Sequence, residues 1–371
     1  MSDPIRSTRI AIVGGGLSGL YAAWLLERRG LRDYLLIEAR GMLGGRILSV
    51  DAPECRPAPT DDRFDLGPTW FWPDHQRALH ELVAHLGLRR FEQYETGDMM
   101  VEPAPDRPPV RMRGYASSPA SFRLVGGMGA LVERLRRELD PARIVTGQAV
   151  RRLGLASSHI ALHSEEADGC VATLHADQVL LAVPPRLAEQ AIAFTPTLPR
   201  ALAESWRQTA TWMAPHAKYL ALYEAPFWRE QGLSGEGRSA CGPMGEIHDA
   251  SMPGGSAALF GFLGMPAATR RGMTDQALRS LCRAQLVRLF GPRAATPKAE
   301  FFKDWAQDPY TATAADQLAP DTHAAAPWSC AADGPWRGRL SGIASEWSPH
   351  FPGYVAGAIE AASLAVQALQ G

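Results

Sequence analysis

The spacing of apolar residues changes twice within the first forty positions of the chain. Residues 10–13 (IAIV) form a continuous apolar run, glycines follow, and over 17–29 the residues Leu20, Ala23, Trp24 and Leu26 recur at helical spacing. The first run predicts a buried strand and the second a packed helix. A further apolar run at 34–37 (YLLI) ends at Glu38 and completes a strand–helix–strand unit. Helical periodicity returns over 75–86, 128–139 and 274–290. An apolar run at 179–183, stopped by Pro184 and Pro185, predicts a buried strand, and so does the run 258–265. Alternation over 218–228 (KYLALYEAPFW) predicts another strand. Residues 51–63 and 102–121, rich in Pro, Asp and Ser, read as loops, and 311–339 carries no period. The stretch 355–369 is apolar but too short to span a bilayer and contains Glu360, so it reads as a buried helix.

Strands alternating with helices predict an α/β fold, and 371 residues suffice for a large core. A hydrophobic content of 46% with 21% charged residues argues against disorder, and a net charge of −1 offers no general attraction to nucleic acid or anionic lipid. Five scattered cysteines, Cys55, Cys170, Cys241, Cys282 and Cys330, form no CxxC pair, so neither a disulfide framework nor a zinc site is expected. With no leader-like N-terminus and no run of about 18 apolar residues, a soluble cytoplasmic protein is expected, with no membrane partner. Nearly all basic residues are Arg, Lys occurring only at 218, 298 and 303.

Gly14, Gly16 and Gly19 form G-x-G-x-x-G between the first strand and the first helix, the context in which the pattern has a mechanism. Gly14 permits a tight turn, Gly16 lets the backbone approach a pyrophosphate, and Gly19 lets helix and strand pack closely. Leu17 and Ser18 open the helix, whose N-terminal amides favour phosphate. Ser18 has no G-x-S-x-G setting, so nucleophilic catalysis finds no support. Glu38, at the end of the second strand, can accept hydrogen bonds from ribose hydroxyls and disfavours a 2′-phosphate, hence NADP. The unit alone leaves NAD and FAD open.

The continuation, Glu38-Ala39-Arg40 followed by Leu43-Gly44-Gly45-Arg46, resembles the flavin-containing amine oxidase family, the monoamine oxidase-like FAD oxidoreductases. Gly44 and Gly45 let the backbone approach an anion, and Arg46 offers it a planar fork. The resemblance continues in order along the chain. Gly67-Pro68-Thr69-Trp70 is similar to the stretch that passes the isoalloxazine, and Val150 to a residue whose backbone meets the adenine. Lys218 resembles the lysine that holds a water against flavin N5, and Trp305, Pro309 and Tyr310 the aromatic segment beside the ring. Glu346 with Gly353, Tyr354, Val355 and Ala358 resembles the closing motif, in which a helix N-terminus reaches the pyrimidine end of the flavin.

The resemblance implies a Rossmann-like FAD-binding domain built from 1–73, 122–200 and 330–371. It implies an interleaved α+β substrate domain with a mixed sheet, from 74–121 and 201–329. It implies oxidation of a C–N bond in a small-molecule amine by hydride transfer to flavin N5, with O2 as acceptor giving H2O2. Lys218, Trp305 and Tyr354 are the expected catalytic residues. Two other readings share the FAD motifs: a flavin desaturase or oxidase acting on carbon–carbon bonds of an apolar substrate, and a non-catalytic FAD-binding partner protein.

Three departures stand out. Spacing from Trp305 places Ala315 where the family often has an aromatic facing Tyr354, the segment between Trp70 and Val125 is short, and no cysteine adjoins Ala314 or Tyr354, so a non-covalent flavin is expected. Trp70 and Trp72 either line the pocket or pack in the core; Trp305 and Tyr354 would read as core aromatics without their flanking motifs. Arg77 is the one arginine in 65–77, which leaves no evident clamp for an amino-acid carboxylate. His75, His80 and His85 lack companions at metal-ligand spacing and read as solvated helix positions, so no metal is expected.

Overall fold

A computed structural model describes residues 6–53, 61–317 and 325–369. Cys55 and much of the expected 51–63 loop lie outside them.

The strand–helix–strand unit forms as its periodicity predicts: β1 (Arg6–Val13), α1 (Leu17–Arg28) and β2 (Tyr34–Ile37). β1 runs parallel to β2 on one side and to the strand Val171–Leu181 on the other, pairing Val13 with both Ile37 and Leu181. Around this parallel centre an eight-stranded sheet runs in the order Ala193–Thr195, Gln148–Leu155, Ile160–Glu166, Val171–Leu181, β1, β2, Ile144–Val145, with Leu340–Gly342 joined to Val171–Leu181. On one face lie α1, α2 (Arg77–His85), α3 (Gly129–Glu138) and the C-terminal helix Val355–Ala368, which bury Leu20, Leu79, Leu131, Ile359 and their neighbours. The other face is covered by α4 (Pro185–Ala191) and α5 (Arg200–Gln208) through Ala188, Leu202 and Trp206.

The second sheet has seven strands, in the order Ala299–Asp304, Ala217–Tyr223, Ala257–Leu263, Met244–Asp249, Leu233–Ser239, Asp98–Glu102, Val110–Met112. It is mixed, as expected: the pairing of Leu233–Ser239 with Asp98–Glu102 is parallel and the others are antiparallel. Successive side chains of a strand point to opposite faces. Ala217, Tyr219, Ala221 and Tyr223 therefore enter a core with Leu278, Cys282 and Leu286 of the helix Asp275–Phe290, while Leu220 and Leu222 face the opposite way.

Four predicted elements need correction. The strand expected over 218–228 ends at Tyr223, because Pro226 cannot donate to a ladder and starts the short helix Phe227–Glu230, whose Phe227 and Trp228 fill the core. The 102–121 loop contains the edge strand Val110–Met112, in which Val110 and Met112 are exposed and no burial pattern could betray it. The 51–63 loop is bounded by a hairpin pairing Ser49–Asp51 with Arg63–Asp65. The strand expected over 179–183 begins at Val171, its first half carrying polar residues on a solvated antiparallel ladder.

Candidate active site

One cavity of about 390 Å³ lies between the two sheets, walled by Val13, Ile37 and Ala182 of the first and by Ala217, Lys218 and Phe262 of the second. Its dinucleotide end follows from close backbone packing. A Cβ on Gly19 would lie 2.0 Å from the Gly14 carbonyl oxygen, and one on Gly14 would lie 2.8 Å from that of Ala182. Gly16 and Gly45 pack so closely that a Cβ on Gly45 would lie 3.1 Å from the Gly16 Cα. With no side chains between them, the Gly14-to-Gly16 turn and the 44–45 turn stand against the same cavity.

Two helices begin at this cavity, and both N-termini lack a side-chain cap and a first-turn carboxylate: α1 after Gly16, and Val355–Ala368 after Tyr354. Uncapped first-turn amides carry partial positive charge and suit an anion. Glu38, 4% exposed, lines the cavity while its carboxylate accepts the amides of Gly15 at 2.6 Å and Arg40 at 2.8 Å. Ala39, Gln148 and Val150 continue this end. This glycine cradle, with two uncapped helix ends and an acid at the second strand, fits a flavin dinucleotide.

The other end is aromatic and contains the buried Lys218. Lys218 is 1% exposed; its Nζ donates to Thr69 Oγ1 at 2.5 Å and Gly67 O at 3.2 Å and sits 3.9 Å from the Phe260 ring centroid. Burial pushes its pKa down to about 7, with Asp65 opposing that shift and Arg123 reinforcing it. Burial likewise raises Asp65, whose carboxylate is fixed by Ser49 Oγ and the Met128 amide. Trp305, 7% exposed, donates its indole N–H to Leu66 O at 3.0 Å. Trp70, Trp72 and Tyr354 line the same end, where Trp72 meets Tyr354 edge-on at 6.3 Å and 83°, while Tyr310 lines the cavity with the Arg40 guanidinium 5.2 Å from its ring.

Of the expected residues, Gly14, Gly16, Leu17, Ser18, Glu38, Ala39, Arg40, Gly44, Gly45, Arg46, Gly67, Pro68, Thr69, Trp70, Val150, Lys218, Trp305, Gly353, Tyr354, Val355 and Ala358 all line this cavity. Gly19 and Glu346 do not. Gly19 serves the packing beneath, and Glu346 stands behind Arg46, accepting from its Nη1 at 2.6 Å and Nη2 at 2.9 Å. The Arg46 fork expected to face an anion is thus held by a carboxylate that raises the Arg46 pKa against the effect of burial. Arg40 is similarly engaged by Asp308, which Lys303 also holds at 2.7 Å. Ala315, expected opposite Tyr354, is exposed on the turn Ala314–Gln317 and does not line the cavity. His85, from the histidine stripe, is committed to Arg28 and the edge of Trp24.

Sequence reading missed Trp212, Met213, His216 and Phe262. Phe262 was within reach, since it alternates with Phe260 and pairs in register with Lys218, and His216 continues the Lys218 face two residues earlier. Nothing in the pattern marks Trp212 or Met213, which lie in an irregular turn. A second cavity of about 190 Å³ shares the walls Trp70 and Trp72. Its carboxylates are already engaged: Glu95 by Ser117, Glu236 by Tyr115, Glu246 by Arg238, and Asp249 by Trp228 and Arg229.

Residues 89–370 match the family model of flavin containing amine oxidoreductases, and 12–86 match that of NAD(P)-binding Rossmann-like domains. Among curated proteins, the chain is 23% identical to a probable flavin-containing monoamine oxidase A of Dictyostelium discoideum, over 81% of this chain and 84% of that protein. It is 26% identical to the putrescine oxidase of Kocuria rosea, over 84% of this chain and 68% of that one. Among solved structures, a wild-type putrescine oxidase bound to putrescine superposes with a TM-score of 0.79 at 21% identity, covering 99% of this chain and 100% of that one. A cyclohexylamine oxidase from Brevibacterium oxydans IH-35A does so at 0.79 and 19%, covering 98% of each. At such identities the structural likeness bears on the fold alone.

Proposed function

The chain belongs to the flavin-containing amine oxidoreductases, with FAD as cofactor, and from that premise we propose that it oxidises the C–N bond of a small amine, O2 taking up the electrons to give H2O2. The observation that carries this reading is Lys218, a cation 1% exposed at the aromatic end of a cavity whose other end is a glycine cradle. FAD, bound without a covalent link, supplies the hydride acceptor that no side chain provides.

The side chains position and polarise. In this reading the α1 N-terminus and the Gly14, Gly16, Gly44 and Gly45 backbone hold the pyrophosphate, Glu38 the ribose, and Val150 the adenine. The N-terminus of Val355–Ala368 stabilises negative charge at the pyrimidine end. Trp305 and Tyr354 wall the reacting amine, which must give up its proton before it reacts, since the oxidation needs a free lone pair. Lys218, held by Thr69 and Gly67 and set 3.9 Å from the Phe260 ring, would order a water and stabilise charge during electron transfer to O2. Such pre-arranged charge in a dry site is worth more than in water.

We divide the chain into an FAD domain of 1–73, 122–200 and 330–371 and a substrate domain of 74–121 and 201–329. α5 falls beyond the boundary at 200, yet its Leu202 and Trp206 pack in the core of the first sheet, which argues for moving that boundary to 208. No helix among the described residues is long and apolar enough to cross a membrane; we assign the chain to the cytoplasm.

The test is anaerobic addition of primary amines, polyamines and amino acids to the purified flavoprotein. Bleaching of the oxidised flavin band by at least one amine is expected. If no amine bleaches it while an apolar alkene or porphyrinogen does, the carbon–carbon reading replaces this one.

A further inference from the structure

We propose that Trp212 supplies the second aromatic wall of the amine end and determines which amines fit, its turn being clamped from behind by the buried pair Arg186 and Asp316. The inference rests on the amine-oxidising reading above and deepens it.

The turn Ala314–Gln317 faces solvent at Ala315, but the next residue, Asp316, points inward and is 1% exposed. Both of its oxygens are used. Oδ1 accepts the Thr211 amide at 3.1 Å and Arg186 Nη1; Oδ2 accepts the Thr313 amide at 2.9 Å and its hydroxyl at 2.7 Å. Arg186 spends its other donors on Arg207 O at 2.9 Å and Gln208 O at 3.2 Å, the last carbonyls of α5. One buried ion pair therefore joins α4, the end of α5 and the turn that follows. The segment in which the family often carries an aromatic instead braces a neighbouring turn.

That turn is held in an unusual shape. Met213 has φ +64°, the one non-glycine residue in the left-handed region among the described residues. Such conformations persist only where the surroundings over-determine them and tend to gather at ligand sites. Here the result is that Trp212, Met213 and His216 all reach the cavity. Trp212 sits against residue 353, where a Cβ would lie 2.7 Å from its own Cβ, so glycine at 353 (φ +83°) is what admits the indole beside Tyr354. With Trp72 edge-on to Tyr354, three aromatic side chains border one part of the cavity. Aromatic faces there suit a cationic or neutral amine bearing a slender apolar or aromatic substituent.

The test uses the FAD-loaded protein and benzyltrimethylammonium, which has no lone pair to give up and stays unreacted; binding is read as a perturbation of flavin absorbance. Trp212→Ala is expected to raise its Kd by about 10-fold at unchanged FAD content, and Trp212→Phe by no more than about threefold. In turnover of the best amine of the panel, the same loss should appear in KM rather than kcat. Should Trp212→Ala fail to retain FAD, Trp212→Leu, which keeps most of the volume, is expected to retain it and show the same weakening. The inference is overturned if Trp212→Ala binds the probe within twofold of wild type, or if both apolar variants lose FAD, which would place Trp212 with the cofactor. Wild type bleached by amines with an unaffected Trp212→Ala variant would sink this inference alone; wild type bleached by no amine would sink the amine reading and this inference together.

Discussion

The dinucleotide end of the cavity is centred on one stretch, 13–47, to which Gln148, Val150 and the start of the C-terminal helix are added, whereas the amine end draws Trp72, Trp212, Lys218, Phe262, Trp305 and Tyr354 from separate parts of the chain. The two ends are also held differently. Backbone contacts leave no room for a side chain at the first, as at Gly19 under Gly14. Buried polar contacts orient side chains at the second, as at Lys218 on Thr69 and Trp305 on Leu66. The lesson is that a cofactor shared by many enzymes can be bound through main-chain geometry that tolerates no substitution, while the substrate wall is a set of side chains exchangeable one at a time.

Substitutions at the two ends should therefore fail in different ways. The largest effect is expected for Gly19→Ala, whose methyl would meet the Gly14 carbonyl at 2.0 Å. Overpacking of this kind costs ~3 kcal/mol, or about 100-fold in FAD affinity, measurable by titrating apoprotein. Lys218→Met should leave the FAD spectrum intact and slow reoxidation of the reduced protein by O2 by roughly 10-fold to 100-fold, read by stopped flow.

The same lysine gives the pH test. Its pKa falls from 10.5 to about 7 on burial, so the ammonium is present below that pH and reoxidation in wild type should slow as pH rises through about 7. Between about 7 and 10.5 the unfolded chain binds the extra proton, so stability should rise with pH across that window. Both slopes should vanish in Lys218→Met. Trp305→Phe keeps the wall and loses the hydrogen bond to Leu66, at about 1 kcal/mol, a roughly fivefold change in kcat/KM. Smallest of all, Ala315→Tyr adds an aromatic to an exposed turn and should change KM by less than about twofold. A large gain in amine affinity there would bring residue 315 back into the wall and break the contrast between the two ends.

Legibility in the sequence followed the same division. Periodicity sufficed for β1, α1 and β2, and the glycine spacing sufficed for a dinucleotide, because each requirement is local, while the choice of FAD needed the family resemblance of the residues that follow. Glu346 was found by resemblance, but its role as the partner of Arg46 could not be, since the two meet across 300 positions. Lys218 was legible by resemblance, with strand alternation placing it on a strand and the scarcity of Lys adding only a little. Trp212 carried no mark, as its place depends on Asp316 and Gly353, both remote in sequence and neither periodic. Counting from Trp305 to Ala315 assumed an uninterrupted path, and the turn at 314–317 faces that residue outward.

The most direct test of the whole account is a single anaerobic titration followed by readmission of air. One equivalent of a substrate amine per FAD should bleach the oxidised flavin band completely, and O2 should restore it with one equivalent of H2O2. A flavin that remains oxidised in the presence of every amine, or one that bleaches and then returns without peroxide, would contradict it.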